Sequence, residues 1–397
     1  MSWPTVRLAE VARFIRGITF KPTDVLDEPT ANSVGCMRTK NVQELLDTRD
    51  VWFLKPEFVS NTNQYLQEGD LLVSTANSWN LVGKACWVTK LEYRCTFGGF
   101  ISALRANPEK IEAKYLYYWF TSPYVQEKLR SFSNKTTNIS NLSLKRAGDL
   151  EIPLPPLDEQ MRIADILDKA AAIKAKREQA IAKLDELTHS TFVEMFEQKL
   201  LQSDKTVGDF FEVNNNRYMT NLNDTDEVPF IPMSAVSENS KCVENAEIRK
   251  YFEVKKGYTP IKKGDLIVAK ITPCYENGKQ AVVNNIEPLF AYGSTEFHTF
   301  RNDDSGLIFV LHYYLQTLNV KRKGAGSMKG AAGQRRVPDS FFKDLPFALL
   351  PAESVEEFKS IIKKCNAVRS KFVCHVASTD KLIASLQHQA FTIGFNA

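Results

Sequence analysis

Hydrophobic and polar positions follow two alternating regimes along the chain. Residues 1–149 and 203–345 read as short apolar runs broken by Gly, Pro, Asn and Asp, the pattern of strand-rich domains. In each stretch a Gly-Asp turn leads into a strand-like phrase, LQEGDLLVS at Leu66–Ser74 and IKKGDLIVA at Ile261–Ala269. Short helices are predicted at Ala113–Phe120 and Leu307–Thr317. A polar loop follows each, then a proline-punctuated strand, EIPLPP at Glu151–Pro156 and PFALLP at Pro346–Pro351.

The second regime is helical. From Leu157 to Leu200 there is no Gly or Pro, and Ala, Leu, Lys, Glu and Gln dominate, residues of high helix propensity. Asp158 and Glu159 sit where the positive end of a helix dipole favours them. Ile166, Ala170, Ile173, Arg177, Ala180, Leu184, Leu187 and Thr191 recur at alternating spacings of four and three, a coiled-coil seam. Some forty residues would span about 60 Å, too long for a small domain to bury, so a partner helix is required. Ser354–Phe395 supplies it, with Phe358, Ile361, Ile362, Val368, Phe372, Val376, Ile383, Leu386 and Phe391 in a similar rhythm. Packing of each helix on its own domain is the competing arrangement.

The chain is an internal duplication. The two Gly-Asp phrases lie 195 residues apart, as do Gly83-Lys84 and Gly278-Lys279, Leu150 and Leu345, Pro156 and Pro351, and Ile166 and Ile361. Several matches in one order at nearly constant offset mark a domain-sized repeat. The expected architecture is α+β: two tandem β-rich domains (1–149 and 203–345), each followed by a spacer strand and long helix (150–202 and 346–397). Two copies related by a pseudo-twofold would run their helices antiparallel and hold the strand-rich domains apart.

Composition narrows the function classes. With 43% hydrophobic and 25% charged residues over 397 positions the chain is globular. The net charge of +4 neither demands nor excludes nucleic acid, so the distribution of charge matters more. Seven scattered cysteines without a C-x-x-C pair, and no leader or long apolar run, suggest free thiols in a reducing cytoplasm and no membrane.

The phrase IPLPPLDEQMRIADIL at Ile152–Leu167, leading into the long helix, resembles the specificity subunit of Type I restriction-modification enzymes. So do KITPCYENGKQA at Lys270–Ala281 and YGSTEFHTF at Tyr292–Phe300. The resemblance implies that each strand-rich unit is a target recognition domain reading half of a bipartite, asymmetric double-stranded DNA site. It implies that the helices act as a spacer, and that two methyltransferase subunits and the restriction subunits assemble on the chain. PFALLPAESVEEF replaces the usual phrase at the second spacer, which leaves open whether both ends engage their methyltransferase equally. A fragment of a fused restriction-methylation enzyme and a coiled-coil interaction scaffold remain as alternatives.

Catalytic signatures are missing. Asn107-Pro108 is followed by Glu109 rather than a second proline, so no adenine-methyltransferase loop is present. Gly324–Gly333 lacks the preceding strand and Lys-Ser/Thr pair of a phosphate-binding loop. The five histidines have no metal spacing. The chain is expected to be a non-catalytic binder without a cofactor.

Candidate DNA contacts fall in polar loops. In the first unit these are Arg38 and Lys40 at a loop edge, and Ser74, Thr75, Asn77, Ser78 and Asn80 after the Gly-Asp strand. Lys135, Thr136 and Asn138 follow in a loop rich in Asn, Ser and Thr. In the second unit they are Lys270, Thr272, Tyr275, Glu276 and Asn277, then Lys321, Arg322, Lys323, Lys329, Gln334, Arg335 and Arg336. Asn pairs with adenine in bidentate fashion and a Glu accepts from a cytosine amine. Cations within Val320–Arg336, with glycines that admit close approach, suit phosphates. Solvated turns would have a similar composition.

Overall fold

The computed structural model describes residues 3–135, 139–215, 222–238, 240–287, 289–331 and 333–393. It divides into two compact units, one of residues 1–179 with 372–397, the other of residues 180–371.

In the first unit the Gly-Asp strand Leu71–Ser74 is central to an antiparallel sheet ordered Ala12–Arg16, Ile101–Ala106, Leu71–Ser74, Ala85–Trp87. A second sheet sets Val34–Met37 between antiparallel Trp52–Leu54 and parallel Cys95–Phe97. The second unit repeats the plan. Glu212–Val213, Phe297–Arg301, Leu266–Ala269 and Gln280–Val282 form one sheet. Glu247–Lys250, Glu227–Ile231, Phe290–Gly293 and Thr259–Lys262 form the other.

The Gly-Asp phrase has a packing reason beyond its turn. Gly69 and Gly264 take φ of +91° and +96°, which glycine adopts without steric cost. The following aspartates are buried ion-pair partners. Arg105 donates from Nε and Nη2 to Asp70 at 2.7 Å each, and Arg301 donates to Asp265 at 2.8 and 2.6 Å. Each pair ties the Gly-Asp strand to its neighbour, and each aspartate also accepts a backbone amide, from Gln67 and Lys262.

The predicted helix Ala113–Phe120 forms as expected, and its counterpart is Ser305–Tyr314. Glu151–Pro153 pairs with Thr5–Arg7. The expected strand at Pro346–Pro351 reduces to a single bridge from Pro346 to Thr206. There Phe347 anchors the segment, its ring buried against Phe210, Phe211 and Tyr314.

Both long helices form, Leu157–Phe192 and Ala352–His388, each ending in a wider i→i+5 turn. They pair antiparallel. Within the first unit Lys174 meets Asp380 at 3.1 Å, and Arg177 donates to His375 O at 3.0 Å and to Thr379 Oγ1. Within the second, Arg369 donates to Asp185 at 2.8 Å.

The seam keeps Ala170, Arg177 and Leu184 of the first helix and Phe358, Ile362, Phe372, Val376 and Ile383 of the second from the positions that spacing suggests, but not all of them. Ile173 and Leu187 are 48% and 49% exposed, and Val368 is 44% exposed. The inward positions run Ile163, Leu167, Ala170, Lys174, Arg177, Ile181, Leu184, Thr188 and Phe192 on the first helix. On the second they run Val355, Phe358, Ile362, Cys365, Arg369, Phe372, Val376, Thr379 and Ile383. Long cationic side chains lay aliphatic stems along the seam while their heads reach carboxylates at its rim, or, for Arg177, a carbonyl and a hydroxyl. Lys174 thereby reaches Glu44 at 3.0 Å as well as Asp380.

Candidate nucleic-acid interface

In the first unit, two segments separated by more than fifty residues share a small sheet. Ala76–Asn77 pairs with Ser140–Leu142, which pairs with Ser133–Lys135. The Ser74–Asn80 loop is therefore built into the same surface as the loop before the long helix. Ser74 is buried and accepts Asn77 Nδ2 at 3.1 Å, so it orients the Asn77 amide. The Thr75 and Ala76 amides donate to Phe100 O at 3.0 Å, and Leu142 donates to Thr75 O at 2.8 Å. Ser78 and Asn80 are exposed at the turn. The backbone of Lys135 pairs with Ser140; Thr136 and Asn138 lie outside the described residues.

Sequence reasoning misses Phe100. It sits 66% exposed beside this loop, and the Gly98-Gly99 pair before it is the one available signal. Arg38 and Lys40 are committed elsewhere. Both pair with Asp50, and Arg38 also stacks on Trp52 with its guanidinium carbon 3.8 Å from the ring centroid. Burial lowers the Arg38 pKa from its ordinary value.

The second unit joins equivalent segments with different chemistry. The Thr272 amide donates to Arg335 O at 2.9 Å and the Val337 amide to Lys270 O at 2.9 Å. Lys329 and Arg336 exchange backbone hydrogen bonds of 3.0 and 2.8 Å, closing a short loop. Thr272 Oγ1 donates to Glu276 Oε1 at 2.9 Å, and Asn277 donates to Glu238 at 3.1 Å. Glu276, Asn277, Arg322, Lys323, Lys329, Gln334 and Arg335 are exposed. Arg336 is held in a bidentate pair with Glu296 at 2.7 and 2.9 Å, and that guanidinium keeps the Glu296 pKa below the usual carboxylate range.

Two expectations need correction. Tyr275 is 3% exposed, with its ring against Phe342 and its hydroxyl donating to Val320 O, so it is a core residue and offers no edge to a base. The cations of Val320–Arg336 do not all lie in a polar loop, because Leu318–Ser327 is helical and carries Lys321, Arg322 and Lys323. Gly324 there answers a packing demand: a Cβ at this position would collide with Tyr275 Oη.

Among the described residues no three His, Cys, Asp or Glu side chains gather to hold a metal, and no helix is long and apolar enough to cross a membrane. His298 Nε2 lies 2.9 Å from Val337 O. His312 lies between the Gln280 and Gln316 amides at 3.1 and 3.0 Å. Burial, aided by the nearby Lys241 charge, lowers the His312 pKa to about 4. Its folded value is below the unfolded one, so protonation favours unfolding. Stability is unaffected above about pH 6.5 and falls as pH drops from there towards 4. Denaturant titrations at pH 7 and pH 5 should differ by about 2 kcal/mol in this unit, and His312→Gln should abolish most of that difference.

Residues 2–184 match the family model of the Type I restriction modification DNA specificity domain. Similar proteins include the Type I restriction enzyme EcoEI specificity subunit of Escherichia coli, 35% identical over 172 residues, covering 41% of this chain and 28% of that protein. The StySPI specificity subunit of Salmonella potsdam is 31% identical over 183 residues, covering 45% of this chain and 39% of that one. The chain thus spans well under half the length of these relatives. A putative MjaX specificity subunit of Methanocaldococcus jannaschii is 24% identical over 334 residues, covering 76% and 71%. Among solved structures, one described as the structural basis of complex assembly and conformational transition of the type I R-M system aligns with TM-score 0.56 at 14% identity. That match covers 99% of this chain and 98% of that one. The Type-I restriction-modification system S subunit from M. genitalium aligns at 0.50 and 12%, covering 98% and 96%. Both are likenesses of fold.

Proposed function

We propose that this chain, whose residues 2–184 match the Type I restriction modification DNA specificity domain, acts as a specificity subunit that reads a split, asymmetric site in double-stranded DNA for a restriction-modification complex. One observation carries the reading. Both units present the same surface, the segment after the Gly-Asp strand laced to the loop before the long helix, with different side chains on it. The first offers amides, hydroxyls and Phe100; the second offers cations and Glu276. Like geometry with unlike chemistry is what a reader of two different half-sites requires, since base edges are told apart by donor and acceptor pattern.

Each unit enters the major groove of one half-site, and the long helices set the number of base pairs between the halves. The chain supplies no chemistry. Two methyltransferase subunits assemble on it, close on the duplex and extrude an adenine in each half, and restriction subunits join the full complex. The chain itself binds no cofactor, and its DNA partner puts it in the cytoplasm.

Replacing residues 1–151 by the equivalent part of a relative should change the methylated sequence in one half of the site and leave the other half intact. Mapping methylated adenines across a host genome reads this directly, and changes in both halves would sink modular reading. Binding by the assembled complex should weaken steeply with salt, which a protein-interaction scaffold would not show.

A further inference from the structure

The internal repeat provides its own control for an unassigned feature of the second unit. In the first unit the Gly83 carbonyl accepts Gln126 Nε2 at 3.1 Å. A single neutral amide therefore satisfies that carbonyl. The equivalent glycine, Gly278, stands 195 residues later, and Lys321 stands 195 residues after Gln126. Here the carbonyl accepts Lys241 Nζ at 2.7 Å, while Lys321 Nζ closes on the same glycine from the site of its missing side chain. Each ammonium lies 3.2 Å from where a Cβ on Gly278 would be. Two cations thus stand at a glycine where the first unit places one neutral amide. Lys241 is moreover held at φ +54°, a conformation that non-glycine residues seldom adopt.

We infer that Lys241 and Lys321, converging at Gly278, form a phosphate site that grips the DNA backbone beside the loop Lys270–Lys279. The charge around them supports an anion as the missing partner. Burial, and after it the Lys321 ammonium, bring the Lys241 pKa down to about 8. The neighbouring acid, Glu238, is engaged by Asn277 at 3.1 Å and Lys279 at 3.9 Å. Asp185 is taken by Arg369 at 2.8 Å, and His312 beyond them is neutral at pH 7. A phosphodiester oxygen accepting from both ammonium groups would relieve their repulsion and add a charge-assisted hydrogen bond to each. Exposed Arg322 and Lys323 follow Lys321 on the same helix and extend the cationic surface. Unit one places Gln126 at the matching position, so the grip is one-sided.

The assignment rests on the DNA reading above, and its test separates the two. The complete complex with its partner subunits is titrated with a duplex carrying its methylation site, for the wild type, Lys321→Gln and Lys241→Met. Lys321→Gln installs the residue the first unit uses, and thermal melting monitors folding of both variants. Each substitution should weaken binding about 3- to 10-fold and reduce the slope of log affinity against log salt by about 1, without altering base preference. A single methylphosphonate linkage in the half-site read by the second unit should cost the wild type a similar factor and Lys321→Gln nothing more. Unchanged affinities and slopes beside a wild type that binds normally overturn this assignment alone. A wild type that ignores its duplex removes the DNA reading and the assignment together. Inorganic phosphate that raises the melting point of the wild type but not of Lys321→Gln, with salt slopes unaltered, would give the site to free phosphate and overturn its place on the backbone.

Discussion

Arg105→Ala is expected to destabilise the first unit by about 3–5 kcal/mol, because it leaves the Asp70 carboxylate buried without its counter-ion. Asp70 is 1% exposed and Arg105 9% exposed, so water cannot substitute. Arg105 also donates to Tyr65 O at 2.8 Å, a hydrogen bond that the truncation removes as well. Surface ion pairs such as Arg49–Asp47 are exposed enough that their removal should change little. Urea unfolding of the purified chain measures the difference. A loss below about 1 kcal/mol would mean the strand pair holds without its ionic tie. Arg301→Ala should act on the second unit in the same sense, since Asp265 is equally buried. Replacing both partners of either pair with apolar residues of similar volume should be far milder than either single change, because no lone charge remains.

Phe358→Ala is the second large effect, about 3–5 kcal/mol. The ring is fully buried and makes edge contacts with Phe192, Phe196, Phe309 and Tyr313 at centroid distances of 5.6, 5.5, 5.7 and 5.2 Å. Aromatic pairs of this geometry add to the area term, and four rings cannot close over the void. Leu187→Ala on the facing helix should cost less than about 1 kcal/mol, since the side chain is half exposed. The contrast tests whether Leu187 belongs to the seam, as apolar spacing suggests, or lies outside it. Equal losses at Phe358 and Leu187 would return Leu187 to the seam. Denaturation of the two single variants, compared at equal m-value, gives the answer.

The candidate interface shows where sequence reasoning carries and where it stops. Loop positions Ser74–Asn80 and Lys270–Asn277 are legible because they follow a strand phrase that occurs twice. Their union with Ser140–Leu142 and Arg335 is not, because pairings of two or three residues have no periodicity to read. Tyr275 and Gly324 mislead for one shared reason. A tyrosine among polar residues and a glycine among lysines look like surface chemistry, yet each exists for the other, ring against the missing Cβ. Arg38, Lys40 and Arg336 are recognisable as cations, but only the folded chain reveals that Asp50 and Glu296 already hold them. Lys241 carries no signal at all, since a lone lysine in a polar turn is ordinary.

By itself the sequence determined the duplication, the two long helices and their need for one another, because these depend on composition and period, which are local and repeat along the chain. The tertiary structure alone decided that Ile173, Leu187 and Val368 leave the seam and that Lys174 and Arg369 join it. Lys174, Arg177 and Arg369 enter the seam because their stems pack while partners distant in sequence receive their heads. It also decided that residues 372–397 belong with the first unit and residues 180–202 with the second. An amphipathic stripe states that a face must be covered, but the covering partner is fixed by long-range packing.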